Sequence, residues 1–352
     1  MIKKILFGII LLFLNIVFVE VCLRLFNYVY PTSIFYREDY NQYRGIPHSD
    51  SYGFKLNAHG FKDVEYNIAK TPGTYRIVGV GDSFTFGVAP YPYNYLTLLE
   101  DTLHNMSTLP PVEIINMGIC STAPPHYLSI ITDEALPLKP DMILLSVFVG
   151  NDIAESSRDS RKRKLFTYSY LASSVYYIYK VLTGLSQNGT ATAYGKGYVY
   201  CDSCSTLDPE RYLDIETQRS YVFCQNNTNF ERHVQDALSY LHKINNLCKR
   251  RGIKLVVALL PDEMQVNTDL QKRVLAKGTL AAAAWDNEQP NRVLRQELEK
   301  ANVPVVDLLN EFVARRQGPP LYIPNDSHWN IKGNRVAAAS LAGQLPSLIA
   351  GP

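Results

Sequence analysis

Tyr75–Gly87 reads YRIVGVGDSFTFG. Ile77, Val78 and Val80 make a short apolar, β-branched run bounded by glycines, the pattern of a parallel strand buried on both faces. The run then breaks into Gly81-Asp82-Ser83-Phe84-Thr85-Phe86-Gly87. A strand that ends in a glycine-rich turn with a lone serine is how an α/β fold presents a nucleophile at the carboxyl edge of its sheet. Ser83 is the candidate nucleophile. A serine hydroxyl is weak alone, so the chain must also supply a base, an orienting group for that base, and oxyanion donors.

Outward from this stretch the pattern alternates. A helical segment at 93–106 is followed by a second strand at 112–116 and a helix at about 125–135. The longest apolar run outside the N-terminus, 142–149, is a third strand and ends in Gly150-Asn151-Asp152. An amphipathic helix is expected at about 230–251 and a strand at 254–260. Helices follow at about 270–284 and 289–301, then a short strand at 303–306, a helix near 308–316 and a last helix at about 331–349. This rhythm predicts an α/β fold: a flavodoxin-like, three-layer α/β/α arrangement with a parallel sheet of about five strands.

Residues 1–26, MIKKILFGIILLFLNIVFVEVCLRLF, carry an apolar run of about the length a bilayer-spanning helix needs. Lys3 and Lys4 place its amino end in the cytoplasm. The reading is an uncleaved, single-pass anchor in the cytoplasmic membrane, with the rest of the chain on the extracytoplasmic, periplasmic side. A cleaved signal peptide is the alternative, although no small-residue cleavage site follows the run. A soluble buried helix is a third reading. Residues 27–74 are expected to be an irregular approach segment, with a hairpin around 54–61, packed on a catalytic domain spanning 75–350. Residues 154–229 interrupt the rhythm. They read as an insertion at the edge of the active-site face: a surface elaboration, a lid or cap, or a flap resting on the membrane. Within it, 165–185 is apolar, rich in tyrosine and helical in pattern.

Four short blocks fall at strand ends or before the last helix. These are Ser83, Gly118 in Asn116-Met117-Gly118, Asn151 in Gly150-Asn151-Asp152, and His328 in Asn325-Asp326-Ser327-His328-Trp329-Asn330. Each alone has an ordinary reading as a turn, a helix cap or a structural histidine. In a parallel sheet, however, their strand ends converge on one rim. There His328 can take the Ser83 proton and return it to the leaving group, while Asp326 holds the imidazole tautomer. The backbone N–H groups of Ser83 and Gly118 and the side-chain amide of Asn151 are the candidate oxyanion hole.

This order of blocks resembles the SGNH, or GDSL-type, hydrolase superfamily, over roughly residues 74–152 and 253–348. The resemblance implies a three-layer fold, no metal or organic cofactor, and ester hydrolysis or acyl transfer through an acyl-serine. The family's usual acid lies three residues before the histidine, where this chain has Asn325. A variant with the acid two residues before also occurs among cell-envelope members, so Asp326 takes the role. The GDSFTFG block, the N-terminal anchor and the DSHWN ending together look like membrane-anchored members associated with bacterial extracellular polysaccharide. An acylated carbohydrate or another ester is the substrate class this implies.

With 352 residues the chain can bury a sizeable core. A net charge of +2 and 19% charged residues give no nucleic-acid surface. The Arg158–Lys164 run reads as a solvated loop. Six cysteines are too few for a disulfide-built fold. Cys201, Cys204 and Cys224 can staple the insertion with one disulfide, leaving a third thiol free or paired elsewhere, as with Cys248. The Cys-x-x-Cys spacing also allows a metal or redox pair, but no second pair at zinc spacing follows. The leading expectation is a serine esterase acting on O-acyl, above all O-acetyl, groups of an envelope or extracellular glycan. O-acyl transfer to the same glycans, a lysophospholipase or thioesterase, and a catalytically silent glycan-binding component are the alternatives.

Overall fold

The computed structural model describes residues 2–30, 40, 44–160, 169–183, 198–278 and 284–351. The Arg158–Lys164 run and the 165–185 segment lie partly outside these residues. Helix α1 (Ile2–Val29) comes first, then a two-stranded hairpin of β1 (Asp50–Ser51) and β2 (Phe54–Lys55). The hairpin lies upstream of its expected place because its turn is Tyr52-Gly53. Both residues have positive φ, 49° and 68°, as a tight two-residue hairpin turn requires.

Five strands follow: β3 (Tyr75–Gly81), β4 (Val112–Gly118), β5 (Met142–Phe148), β6 (Lys254–Leu260) and β7 (Val305–Asp307). All pair in parallel, in the order β4-β3-β5-β6-β7. The last strand starts two residues later than its apolar pattern suggests. Pro304 has no N–H to give, and its carbonyl instead accepts from Val257 N at 3.0 Å. Chain order reverses between β3 and β5, with β4 on one side and β5 on the other. Such a switch point opens a crevice at the carboxyl ends of the strands.

Alternation along each strand divides the core in two. Val78, Val80, Ile143, Leu145, Val257 and Leu259 face one layer, while Ile77, Leu144, Val256 and Ala258 face the other. The first layer holds α4 (Pro124–Ile130), α8 (Thr228–Arg251), α10 (Thr268–Lys277) and α11 (Gln289–Lys300). The second holds α3 (Tyr95–His104), α12 (Leu309–Val313) and α13 (Ile331–Ala350). The sheet is therefore the middle layer of an α/β/α sandwich. Short α2 (Ser83–Phe86) and α9 (Glu263–Val266) sit at the rim. The helix expected over about 125–135 ends as α4 at Ile130 and widens into a π turn over Ile131–Ala135. The helix expected over 270–284 ends at Lys277, and 279–283 lie outside the described residues.

Helix ends follow local chemistry. Asn227 caps α8 by accepting from Asn229 N and Phe230 N, and Gly252 (φ 66°) closes it in the left-handed conformation. Asn330, the last residue of the DSHWN block, caps α13 by accepting from Gly333 N at 2.9 Å.

The approach segment packs on this sandwich. Phe61 is fully buried, and Asp63 accepts from Asn116 N at 2.7 Å and from the Tyr91 hydroxyl at 2.8 Å. Buried Lys62 donates to the carbonyls of Gly87 and Ala89, tying down the loop that follows Ser83.

Between α5 (Asp152–Ser160) and α8 lie α6 (Tyr170–Leu182) and α7 (Pro209–Arg219). The interruption does not gather at the active-site edge as a whole. Residues 198–208 and α7 lie over the rim, but α6 packs on α1. That end of α1 meets the opposite edge of the sheet. Arg251, just before β6, donates to the Val29 carbonyl at 2.5 Å, and the Arg250 guanidinium lies 5.4 Å from the centre of the Tyr28 ring.

Where β4 ends, Gly118 is pressed against α2. A Cβ there would lie 2.1 Å from Phe86 N and 2.4 Å from Thr85 C, both backbone atoms that cannot swing aside. Gly118→Ala is expected to lower stability by about 3 kcal/mol, the upper end of overpacking costs, read as a fall in the urea midpoint at unchanged m. An unchanged midpoint would show that the α2 turn yields without cost.

Candidate active site

Ser83 is the first residue of α2, immediately after β3. Asp82 makes the turn by accepting from Phe84 N at 2.9 Å through one carboxylate oxygen. Its other oxygen is buried with no hydrogen-bond partner. The serine hydroxyl projects from this turn at the rim, beside the switch point.

His328 meets it from the far end of the chain. Nε2 of His328 lies 2.7 Å from Ser83 Oγ, and Nδ1 lies 2.5 Å from Asp326 Oδ1. The same Asp326 oxygen accepts from the His328 backbone N–H at 3.0 Å. The short loop is braced by Ile323 N to His328 O and Asp326 N to Ile323 O. Phe84 packs against the imidazole and Trp329, with ring centres 5.1 and 5.0 Å away. Asn325 takes no part in this relay. It is left-handed (φ 49°), and its amide donates to Ser205 Oγ at 2.8 Å. Of the two residues considered for the orienting acid, Asp326 is the one against the imidazole.

The electrostatics favour an imidazole that holds its proton well. Burial pulls the His328 pKa down, but the charge and hydrogen bond of Asp326, with the charge of Asp82, outweigh it and raise it above 6.5. Asp326 moves the opposite way. Burial would raise it, yet His328 and its hydrogen bonds, with one from Thr206, hold it below the usual carboxylate value.

The oxyanion candidates divide. The Ser83 N–H stands at the start of α2. The Gly118 N–H donates at 2.9 Å to Asn116 Oδ1, whose own amide donates to Thr85 O at 2.8 Å. Gly118 here serves close packing, and its amide is already engaged. Asn151 follows β5, the neighbour of β3, and its Oδ1 is buried without a partner. The adjacent Asp152 accepts from Tyr127 and from Phe148 N, each at 2.9 Å. Burial and the charge of Asp82 drive its pKa far up.

Two clefts flank the relay. One, of about 360 Å³, is lined by Tyr52, Tyr198, Leu207, Arg219, Ile323 and His328, among others. The second, about 350 Å³, contains Asn151, Arg219, Tyr221 and His233. Arg219 belongs to both. It is bonded to buried Glu216 and lies 3.9 Å from Asp262, which caps α9 at the end of β6. Sequence reading missed this arginine, because nothing in PERYLDIETQR marks it beyond an ordinary amphipathic helix.

The first cleft has a stapled wall. Cys201 and Cys204 form a disulfide, whereas Cys224 and Cys248 are buried free thiols. Around the staple, Asp202 accepts from Ile331 N at 3.0 Å and Thr206 N donates to Pro324 O at 3.1 Å. With the Thr206 hydrogen bond to Asp326, the loop grips the relay segment from both sides. Among the described residues, no group of His, Cys, Asp and Glu is placed to hold a metal ion.

The comparisons with known proteins extend this geometry. Residues 220–351 match a family model described as the SGNH hydrolase-like domain of the acetyltransferase AlgX. The match includes Asp326 and His328, and Ser83 lies upstream of it. No curated protein matches the sequence. Similar solved structures include a GDSL-like lipase from Bacteroides thetaiotaomicron, at 10% identity over 78% of this chain and 89% of that one, TM-score 0.40. The acetyl xylan esterase AlAXEase is 14% identical over 76% and 98%, TM-score 0.40. A catalytic mutant of an acetylxylan esterase from Geobacillus stearothermophilus is 10% identical over 76% and 92%, TM-score 0.42. Likenesses this distant carry no inference about substrate. Residues 220–351 thus match an SGNH hydrolase-like domain, on a chain whose Ser, Gly, Asn and His blocks follow one another along a five-stranded parallel sheet.

Proposed function

We propose that the protein is a membrane-anchored serine esterase that removes O-acyl groups, above all O-acetyl, from an envelope or extracellular polysaccharide. The observation that carries this reading is the continuous relay from Ser83 Oγ through His328 to Asp326. Ser83 Oγ attacks the ester carbonyl carbon while its proton passes to His328 Nε2. Asp326 stabilises the imidazolium through Nδ1. The Ser83 N–H and the Asn151 amide are the proposed donors to the tetrahedral oxyanion. Collapse expels the sugar alkoxide, which takes the proton back from His328 and leaves an acyl-Ser83. Water, deprotonated by His328, attacks that ester; the acid departs and the proton returns to Ser83.

Two further observations shape the substrate. The site is on the carboxyl rim, while α1 joins the domain at the opposite sheet edge. That favours an extended polymer over a membrane lipid, and so over lysophospholipase activity. The tyrosine-bearing cleft suits the faces of sugar rings. A second reading is acyl transfer, in which a glycan hydroxyl replaces water at the acyl-Ser83. It is favoured by the description of the matching family model as an acetyltransferase domain.

Full-length protein is expected to label with a fluorescent fluorophosphonate and to turn over p-nitrophenyl acetate. Ser83→Ala and His328→Ala should lose both, with circular dichroism unchanged. Labelling that survives Ser83→Ala would overturn the assignment of the nucleophile. Free acetate as product supports hydrolysis, whereas acetylated sugar from an added glycan would establish transfer.

The raised pKa of His328 gives a pH signature. The base acts when neutral, so kcat/KM should rise with pH through an inflection above 6.5. Asp326→Asn removes the charge that raises it. Activity should fall by about two to four orders of magnitude, and the residual acid limb should move to lower pH. Asn325→Ala should cost far less. The reverse ranking would show that the orienting acid is misassigned.

A further inference from the structure

The N-terminal helix carries one acidic residue, Glu20, and that carboxylate is held by the start of α6 and by Arg24. Its oxygens accept from Ser169 Oγ at 2.9 Å, Tyr170 N at 3.0 Å and Leu171 N at 3.0 Å. These are the opening groups of α6, where free N–H donors and the helix dipole favour an anion. Arg24, one turn along α1, pairs with Glu20 at 2.7 Å and lays its guanidinium 4.5 Å from the centre of the Tyr170 ring. A charge that would be costly in a bilayer is thereby neutralised where the two helices meet.

Beyond this joint α6 is apolar and open. Val175, Ile178 and Leu182 are 59%, 55% and 80% exposed, and Tyr177 and Tyr179 lie beside them. The helix YLASSVYYIYKVL holds four tyrosines, the residue type enriched where a membrane meets water. It packs on α1, which is long and apolar enough to cross a membrane and has no part of its apolar window buried in the fold. The carboxyl end of α1 is in turn fastened to the domain through Tyr28, Val29 and the Arg250–Arg251 pair.

We propose that α6 is a second membrane-seated helix. Docked on α1 through Glu20, it presents its apolar, tyrosine-rich face to phospholipid at the outer interface. The domain is then held by two elements, and α1 is retained in the mature protein, because removing it would leave α6 without its cap. This proposal is independent of the esterase reading.

The full chain, purified from membranes, would be reconstituted in phosphatidylcholine–phosphatidylglycerol vesicles doped with a diazirine-bearing phosphatidylcholine. After irradiation, peptides are mapped by mass spectrometry. Lipid adducts are expected on residues 170–182 as well as on α1, and the intact mass should include α1. The double variant Ile178→Asp, Leu182→Asp should lose adducts on α6 several-fold while those on α1 persist. Adducts confined to α1, an α6 peptide cross-linked only to a second copy, an unchanged α6 yield in the variant, or a mature chain lacking α1 would each overturn the proposal.

Discussion

The hydrogen bond between His328 Nε2 and Ser83 Oγ joins groups 245 residues apart, and much of the architecture exists to make it short. Ser83 is placed by β3, which is paired on both sides in the sheet and buried nearly throughout, so the turn after it has little freedom. His328 is placed by the start of α13, which Asn330 caps and whose apolar face is fixed against α3 and the sheet. Between them Phe84 and Trp329 fill the space under the imidazole. Buried aromatic packing resists small displacements, because interiors are packed to crystal-like density. A hydrogen bond set this way is held by the core and does not have to hold the fold together.

The parts of this arrangement legible in the sequence are those governed by local pattern. Unbroken apolar runs located β3, β5 and β6, the last at its observed limits of Lys254 and Leu260. The blocks containing Ser83 and His328 could be linked because a parallel sheet sends every strand end to one rim. Three-dimensional choices were not legible. The assignment of Asp326 over Asn325 rests on the family resemblance, and its physical basis, the left-handed backbone at Asn325 that turns that side chain toward Ser205, has no signal in local pattern. The engagement of the Gly118 amide depends on the side-chain rotamer of Asn116. Arg219 reaches the site only because α7 folds back over the rim, a long-range event with no periodic signal.

The interruption between β5 and β6 belongs to two places at once. α5 leaves the rim after β5, and α6 packs on α1. The chain then returns to the rim, where the Cys201–Cys204 loop and α7 build the cleft walls. A single insertion thus touches both the N-terminal helix and the Asp326 loop. The disulfide closes a very short loop, so its effect on global stability is small compared with bridges spanning long segments. Its value lies in local geometry. It stiffens the stretch from Asp202 to Thr206, in which Asp202, Ser205 and Thr206 bond to the segment around His328.

The charges around the relay show how such a site can favour one half of an ion pair without spoiling the other. In the proposed reaction, attack by Ser83 would create an imidazolium and an oxyanion together. Asp326 and Asp82 both favour the imidazolium, and each unit they add to its pKa is worth about 1.4 kcal/mol. The same negative charges oppose the oxyanion. Asp152 could add a further negative charge beside Asn151, but burial and the charge of Asp82 push it toward its protonated form. Arg219, though paired with Glu216 and close to Asp262, lowers the pKa of His328 and so tempers the field from the other side. The net effect on His328 is upward, toward a stronger base for the proposed transfer of the serine proton.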